Sequence, residues 1–390
     1  MRTALCTISA HNYMPYGLDC LYSAKKFNPN YDVFYLIADK FDSQIYSKFC
    51  TDIKFVSLET LDITTKELEE LEFKYDVVEF NTSVKPLFYL YLFSLGYDNV
   101  IYFDPDFECY ASLEPLEEML ENHSFVVTPH KITCRKSSFL TERDFINNGI
   151  YNLGFIGMHN TTSTKEFLKW WDENLRKSCY LDYKYGMATD QIWLNLGTIY
   201  FDGAYVSKHP GMDTAFWNLD ERKIEYKDGK IKVNGTDLLF FHFSSLSLNC
   251  KKEFLQRIID ICPDFEKIYE EHKERVLSYD FEKLSTIKYA FNYFDNGISI
   301  DKNFRRFCGY AGLLKNFDGL FMTNKGSLYW SSFHNKLSVK DKSNLNAKYR
   351  KVLKLIKIFG LKRVIKWASI SASFDLGKIA AAYNNNELDI

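Results

Sequence analysis

The chain has 390 residues, of which 46% are hydrophobic and 26% charged, and its formal net charge is −2. That length can bury a sizeable core and suggests two domains, or one large domain with additions. The near-zero charge excludes nucleic-acid binding by the chain as a whole, and no apolar run reaches the ~20 residues that span a bilayer.

Nine cysteines are scattered along the chain without a C-x-x-C pair. An odd, unpatterned set predicts free thiols in a reducing cytosol, and neither a disulfide framework nor a zinc site. Thr3–Ala10 is too short an apolar run for a signal peptide, so the expected location is cytoplasmic. Aromatic residues make up 17%, which suits sugar or base stacking and equally suits a bulky core.

In chain order, Thr3–Ala10 reads as a strand, Tyr16–Lys26 as a helix and Asp32–Ala38 as a second strand. A β-α-β start implies a parallel sheet with a right-handed crossover. Phe55-Val56 could begin a third strand, and Thr64–Leu71 reads as a short capped helix. Asn81-Thr82-Ser83 offer caps for a helix to about Leu95, with Pro86 tolerated in its first turn. Further strands are expected at Ser124–Thr128, Ile150–Met158, Ile199–Val206 and Leu238–Phe243. Thr164–Lys177 reads as an amphipathic helix, and Thr189–Asn195 opens another. Beyond Ser245 the expected elements are helices at Glu253–Ile261, Glu266–Leu277 and Phe281–Phe291.

Asn99–Asp104 stands out as a short buried strand that runs into Asp104-Pro105-Asp106. Pro105 cannot continue a central strand, so the strand should stop at Asp104. Residues two apart share a side of an extended chain, which would aim both carboxylates into the space beyond the strand end. Ligands bind there in open α/β sheets. Paired carboxylates repel unless a cation lies between them, and a divalent metal holding a diphosphate would supply it. The same three residues are also an ordinary turn sequence.

The ordered motifs Asn81–Pro86, Asp104–Asp106, Tyr151–Phe155, Trp170-Trp171, Asp190–Trp193 and Pro210-Gly211 with Trp217–Leu219 resemble GT-A fold glycosyltransferases. The closest resemblance is to the retaining, family 8-like bacterial enzymes of surface-polysaccharide synthesis, and it covers roughly residues 3–245. It implies an α/β fold with a Rossmann-like, mostly parallel mixed sheet flanked by helices, and a C-terminal helical extension. The implied metal ligands are Asp104, Asp106 and His242, holding Mn²⁺ or Mg²⁺. Ile8, Ser9, Asn12 and Tyr13 would take the nucleotide of a UDP-sugar. Lys85 would reach the diphosphate, and Asn152, Asp190 and Gln191 would lie beside the donor sugar. Gln191 is a poor nucleophile, which under the resemblance favours a front-side retaining displacement.

The chain departs from the family in two places. Ala10 stands where an Asp is common, and His242-Phe243-Ser244-Ser245 replaces an H-F-x-G followed by lysine. Each residue also has a plainer reading. His242 suits an aromatic core, Lys85 a solvated helix face, Ile8–Tyr13 a simple βα turn, and Asp190 a helix N-cap. Asp213, Trp217 and Asn218 follow a Pro-Gly turn and could line the donor or acceptor pocket, or a core.

The expected domains are a catalytic domain at 1–245, a helical subdomain at 246–335 and a basic tail at 336–390. Lys336–Lys366 holds eleven Lys/Arg and one Asp, a pattern that suits peripheral contact with an anionic membrane. The expected partners are a nucleotide-sugar and a glycan acceptor on a lipid carrier or a protein. Two other classes remain open. A sugar-phosphate nucleotidyltransferase would need a Gly-rich basic loop after the first strand, which Ala10–Tyr13 lacks. A non-catalytic glycan-binding protein on a transferase fold would not need Asp104, Asp106, Asp190, Gln191 and His242 together.

Overall fold

The structure is a computed structural model that describes residues 1–333 apart from 50, 228 and 311. The basic stretch 336–366 lies outside the described residues.

The strands are β1 (Thr3–Ser9), β2 (Asp32–Ile37), β3 (Ile53–Ser57), β4 (Asn99–Phe103), β5 (Phe107–Cys109), β6 (Phe125–Pro129), β7 (Tyr151–His159), β8 (Leu181–Asp182), β9 (Met187–Ala188), β10 (Ala204–Val206), β11 (Thr214–Ala215), β12 (Ile224–Lys227), β13 (Lys230–Val233), β14 (Thr236–Asp237) and β15 (Phe240–His242). Seven of them form one sheet in the order β10-β6-β7-β4-β1-β2-β3. Within it only β7 runs against its neighbours. The sheet is therefore mixed and mostly parallel, flanked by helices, as expected. Every residue of β1 and β4 is buried, which is why both read as unbroken apolar runs instead of alternating ones.

Three short strands, β11-β15-β5, make a second sheet. β15 runs antiparallel to β5 and parallel to β11. This small sheet brings residues from 107, 214 and 242 side by side.

The described residues form two compact units, 1–62 with 81–288, and 63–80 with 289–333. The boundary expected near residue 245 does not coincide with this division. The helices Lys252–Ile261 and Phe265–Ser278 belong to the first unit, where Ile258, Phe265 and Ile268 join the core under β15. In the second unit, the helix Thr65–Lys74 starts on a Thr64–Glu67 capping box. Its Phe73 packs with Phe294, Phe304 and Leu320. Arg305 there is buried and donates to the carbonyls of Glu72, Phe73 and Tyr75, satisfying chain ends that have no helical partner.

Three elements differ from expectation. Asn81–Ser83 are not caps but the end of a helical segment of their own, Val77–Ser83. Pro86 has no N–H to continue that ladder, so a new helix, Lys85–Ser94, starts with it. Ile199 and Tyr200 stay in the helix Gln191–Tyr200. The strand begins only after Gly203, whose φ of +83° makes the turn. The helix from Phe281 stops at Leu284.

Candidate metal and donor-sugar site

The two carboxylates meet by a different route from the one expected. The chain is not extended through Asp104–Asp106. The Phe107 N–H donates to the Asp104 carbonyl at 3.1 Å, closing a turn with Pro105 in its second position. The Asp104 N–H donates to Gly154 O on β7 at 2.7 Å and ties the turn to the sheet. The turn reading and the site reading of this stretch are thus one structure.

β15 delivers the third group. His242 pairs with Phe107 across the small sheet, and its ring stacks on that phenyl at 4.1 Å. His242 Nε2 lies 3.3 Å from Asp106 Oδ1, and the Phe243 N–H donates to the Asp106 carbonyl at 2.8 Å. One ligand atom from each of Asp104, Asp106 and His242 falls within 4.8 Å of the others. Asp104 retains 29% of its side-chain exposure, so the group opens to solvent. Burial disfavours the His242 cation, but Asp106 and then Asp213 outweigh it and hold the imidazolium up to about 10. Burial would raise the Asp106 carboxyl, yet His242 brings it below the usual range.

Gly154 makes the approach possible. A Cβ there would lie 2.6 Å from Phe107, 2.7 Å from His242 and 2.8 Å from Asn152.

Lys85 is not a solvated helix charge, being 1% exposed. Its ammonium donates to Leu153 O at 2.7 Å. It lies 2.9 Å from Asp190 Oδ2 and 3.3 Å from Asp104 Oδ1. Burial opposes its charge, and Asp104 and Asp190 more than restore it, so its pKa stands above the ordinary lysine value. Asp104 also accepts the Tyr102 hydroxyl at 2.6 Å.

Asp190 makes no side-chain cap bond to the helix that follows it. Its Oδ1 accepts the Thr189 hydroxyl at 3.0 Å. Burial raises its carboxyl above the usual range against the pull of Lys85. Gln191 Oε1 accepts the Leu153 N–H at 3.4 Å. Asn152 Oδ1 accepts the Gly154 N–H at 2.8 Å. These residues converge because β7 runs antiparallel, which brings its first residues to the edge where β4 ends.

β1 is parallel to β4 with Cys6 opposite Tyr102, so Ile8 and Ser9 come level with the turn. The Ser9 hydroxyl is used internally, at 2.9 Å from Ala10 O and 2.6 Å from Tyr35 Oη. The Ser9 carbonyl accepts the Ala38 N–H at 3.0 Å, and the residue is fully buried. Asn12 and Tyr13 sit in a single 3₁₀ turn, His11–Tyr13. Tyr13 stacks on Tyr16 at 4.5 Å. Burial, then the charge of Asp106, raises its phenol. Tyr13 therefore stands within the field of the carboxylate pair.

No family model matches the chain. It is 28% identical over 180 residues to the uncharacterized Bacillus subtilis protein YfnD, covering 45% of this chain and 56% of that one. The chain thus spans about half the length of that relative. It is 24% identical over 306 residues to the uncharacterized B. subtilis protein YfnF, covering 75% of this chain and 98% of that one. Among solved structures it resembles galactosyltransferase LgtC in complex with donor and acceptor sugar analogs. The TM-score is 0.43 at 12% identity, over 66% of this chain and 94% of that one. Likeness at this level assigns neither activity nor substrate.

Several residues at the site are not marked by local sequence. Ser245 adopts φ +63°, a left-handed conformation that glycine takes at no cost and other residues rarely adopt. His11 anchors the turn after β1, with Nε2 2.6 Å from Tyr46 Oη and Nδ1 3.1 Å from Asp39. A second histidine-carboxylate group, Asp19, Glu108 and His272, is wholly buried. His272 Nδ1 lies 3.0 Å from Asp19 and 3.1 Å from Glu108, and Arg275 pairs with both carboxylates. Glu108, two residues beyond Asp106, is the one signal the sequence offered for it.

Proposed function

We propose that the chain is a metal-dependent glycosyltransferase that moves a hexose from a nucleotide-sugar, a UDP-sugar, to a glycan acceptor, with retention at the anomeric carbon. The observation that carries this reading is the convergence of Asp104, Asp106 and His242, with Lys85 bridging Asp104 to Asp190. Two carboxylates and an imidazole with close, partly open ligand atoms fit a divalent ion. An imidazole among oxygens favours Mn²⁺ over Mg²⁺. When bound, the ion supplies Lewis-acid neutralisation of the departing diphosphate.

The chain's own groups do the rest. Ile8 and Ser9 form the floor of the nucleotide pocket, Asn12 reads the base edge, and Tyr13 offers a ring to stack on it. Lys85 keeps Asp104 and Asp190 from repelling each other, and a phosphate oxygen would reach its ammonium in exchange for the longer contact to Asp104, at 3.3 Å. Asp190 and Asn152 accept sugar hydroxyls. Gln191 faces the anomeric carbon with an amide, which supports charge without attacking. The acceptor is a glycan on a lipid carrier or protein, and residues 336–366 supply peripheral attachment to the inner face of an anionic membrane in the cytoplasm.

The test is a panel of nucleotide-sugars scored for transfer and hydrolysis with Mn²⁺, Mg²⁺ or EDTA, with NMR of the first glycosidic bond formed. Mn²⁺-dependent turnover of a UDP-sugar to a retained product is expected. Full activity in EDTA removes the metal reading, and an inverted product removes the role given to Gln191. Pyrophosphate release from a nucleoside triphosphate would mark a nucleotidyltransferase. Glycan binding without turnover would mark a binding protein.

A further inference from the structure

Asp213 has the position of a group built to hold another. It is 0% exposed and adopts φ +55°, a left-handed conformation uncommon for a residue with a side chain and often kept at functional sites. Its Oδ2 accepts the Thr128 hydroxyl at 2.9 Å, and its backbone carbonyl accepts Asn218 Nδ2 at 3.0 Å. Beside it, buried Arg222 donates to the carbonyls of Pro210 and Met212.

The other carboxylate oxygen is aimed at His242. Asp213 Oδ1 lies 3.6 Å from His242 Nδ1. Both atoms are buried and neither has a hydrogen-bond partner. At that distance no hydrogen bond is formed, but a shift of about half an ångström makes one. The opposite ring nitrogen, Nε2, is the one directed at Asp106. A histidine that gives one nitrogen to a metal almost always donates its other N–H to a carboxylate, carbonyl or water, which fixes ring and tautomer.

We propose that Asp213 is the positioning residue of the metal centre. It takes the Nδ1–H of His242 and so leaves the Nε2 lone pair for the ion shared with Asp104 and Asp106. Thr128 on β6 braces Asp213, so the main sheet reaches the metal ligand through one hydroxyl and one carboxylate. The inference rests on the metal reading above.

The experiment measures Mn²⁺ affinity of the full chain by electron paramagnetic resonance, with melting of the metal-free proteins alongside. The variants are D213G, D213N and T128V. Glycine removes the carboxylate and relieves the backbone at φ +55°. Asparagine tolerates that conformation and keeps an acceptor oxygen. T128V removes only the brace. D213G should lose about 10- to 100-fold in affinity, T128V should lose less, and D213N should lie nearest wild type. In ¹⁵N-histidine spectra of the Mg²⁺-loaded chain, His242 should show a protonated Nδ1 that D213G does not hold as a single tautomer. Wild-type affinity in D213G overturns the inference and leaves the metal reading standing. If wild type itself binds no Mn²⁺, the reading and the inference fall together. If D213G does not fold, T128V decides: lost affinity at an unchanged melting temperature supports Asp213, and unchanged affinity overturns it.

Discussion

Two groups of one histidine and two carboxylates lie in the first unit, and they are built to opposite ends. In the buried group, Asp19, Glu108 and His272 are at most 4% exposed. Arg275 completes it, so two cations answer two anions. The imidazole nitrogen between the carboxylates is already a donor, and its ring lies flat against Phe243 at 3.8 Å. In the other group, Asp104 opens to solvent and the neighbouring ammonium of Lys85 is shared with Asp190. The residue types match, yet only one group has both access and an unmet demand for positive charge. Ligand identity alone does not make a metal site; charge balance and a way in decide it.

The comparison breaks or sharpens under substitution. The largest expected effect is at the open group. D104A and D106A should each lower Mn²⁺-dependent transfer by more than about 100-fold, since losing even an outer partner of a metal ligand costs 10- to 100-fold. Melting of the metal-free proteins should change little. Mn²⁺ still bound by the D104A/D106A double variant would mean that the buried group takes the ion.

At the buried group the effect falls on stability instead. H272L should destabilise by about 3 kcal/mol, because it leaves a buried carboxylate short of a partner. Denaturant titration measures this, and Mn²⁺ affinity should hold. A matching loss of affinity at an unchanged midpoint would make His272 part of the metal centre.

The same group has a pH signature. Burial opposes the His272 charge, but Asp19 and Glu108 raise its pKa above the ordinary value. A raised group contributes stability that is full below the unfolded pKa, near 6.5, and fades as pH climbs through the folded one. Asp19, pushed by burial from 3.8 to about 6, acts with the same sign at lower pH. The unfolding free energy of wild type should therefore fall relative to H272Q as pH rises from 6 to 9. A gap that widens with pH would reverse the assignment.

A smaller effect separates packing from chemistry. G154A adds one methyl where Phe107 and His242 leave no space, so a loss of about tenfold in Mn²⁺ affinity is expected with the three ligands intact, as for other supporting-shell changes.

Much of the sheet was legible because β1, β2, β4 and β7 are buried along almost their whole length, and such runs announce themselves without any partner being known. Chain order also placed Lys85 just before β4 and Asp190 at a helix start, and the structure brings both to Asp104. The rest depended on pairings that no local stretch contains. Whether His242 faces Asp106 or a closed core is set by the register of β15 on β5. Asp213 gains its position from β11 lying beside β15, and its strained φ leaves no mark in composition. The pleat argument for Asp104 and Asp106 failed because a proline that ends a strand also favours a turn, and the turn prevailed. The helix expected across Phe281–Phe291 is a single turn ending at Leu284, and helical structure resumes only as a 3₁₀ turn at Ala290–Asn292, an interruption that apolar periodicity does not register.

The reversed direction of β7 also bears on how the protein comes into being. Its first residues face the end of β4, and His242 joins them only after a long intervening stretch of chain. Closing such loops is slow, since contacts distant in sequence must be found before they yield any stabilisation. A chain emerging from synthesis carries Asp104 and Asp106 well before it has an imidazole to set beside them. An ion that binds the finished site and not its parts would therefore act as a late folding ligand, drawing the last strands into register by mass action.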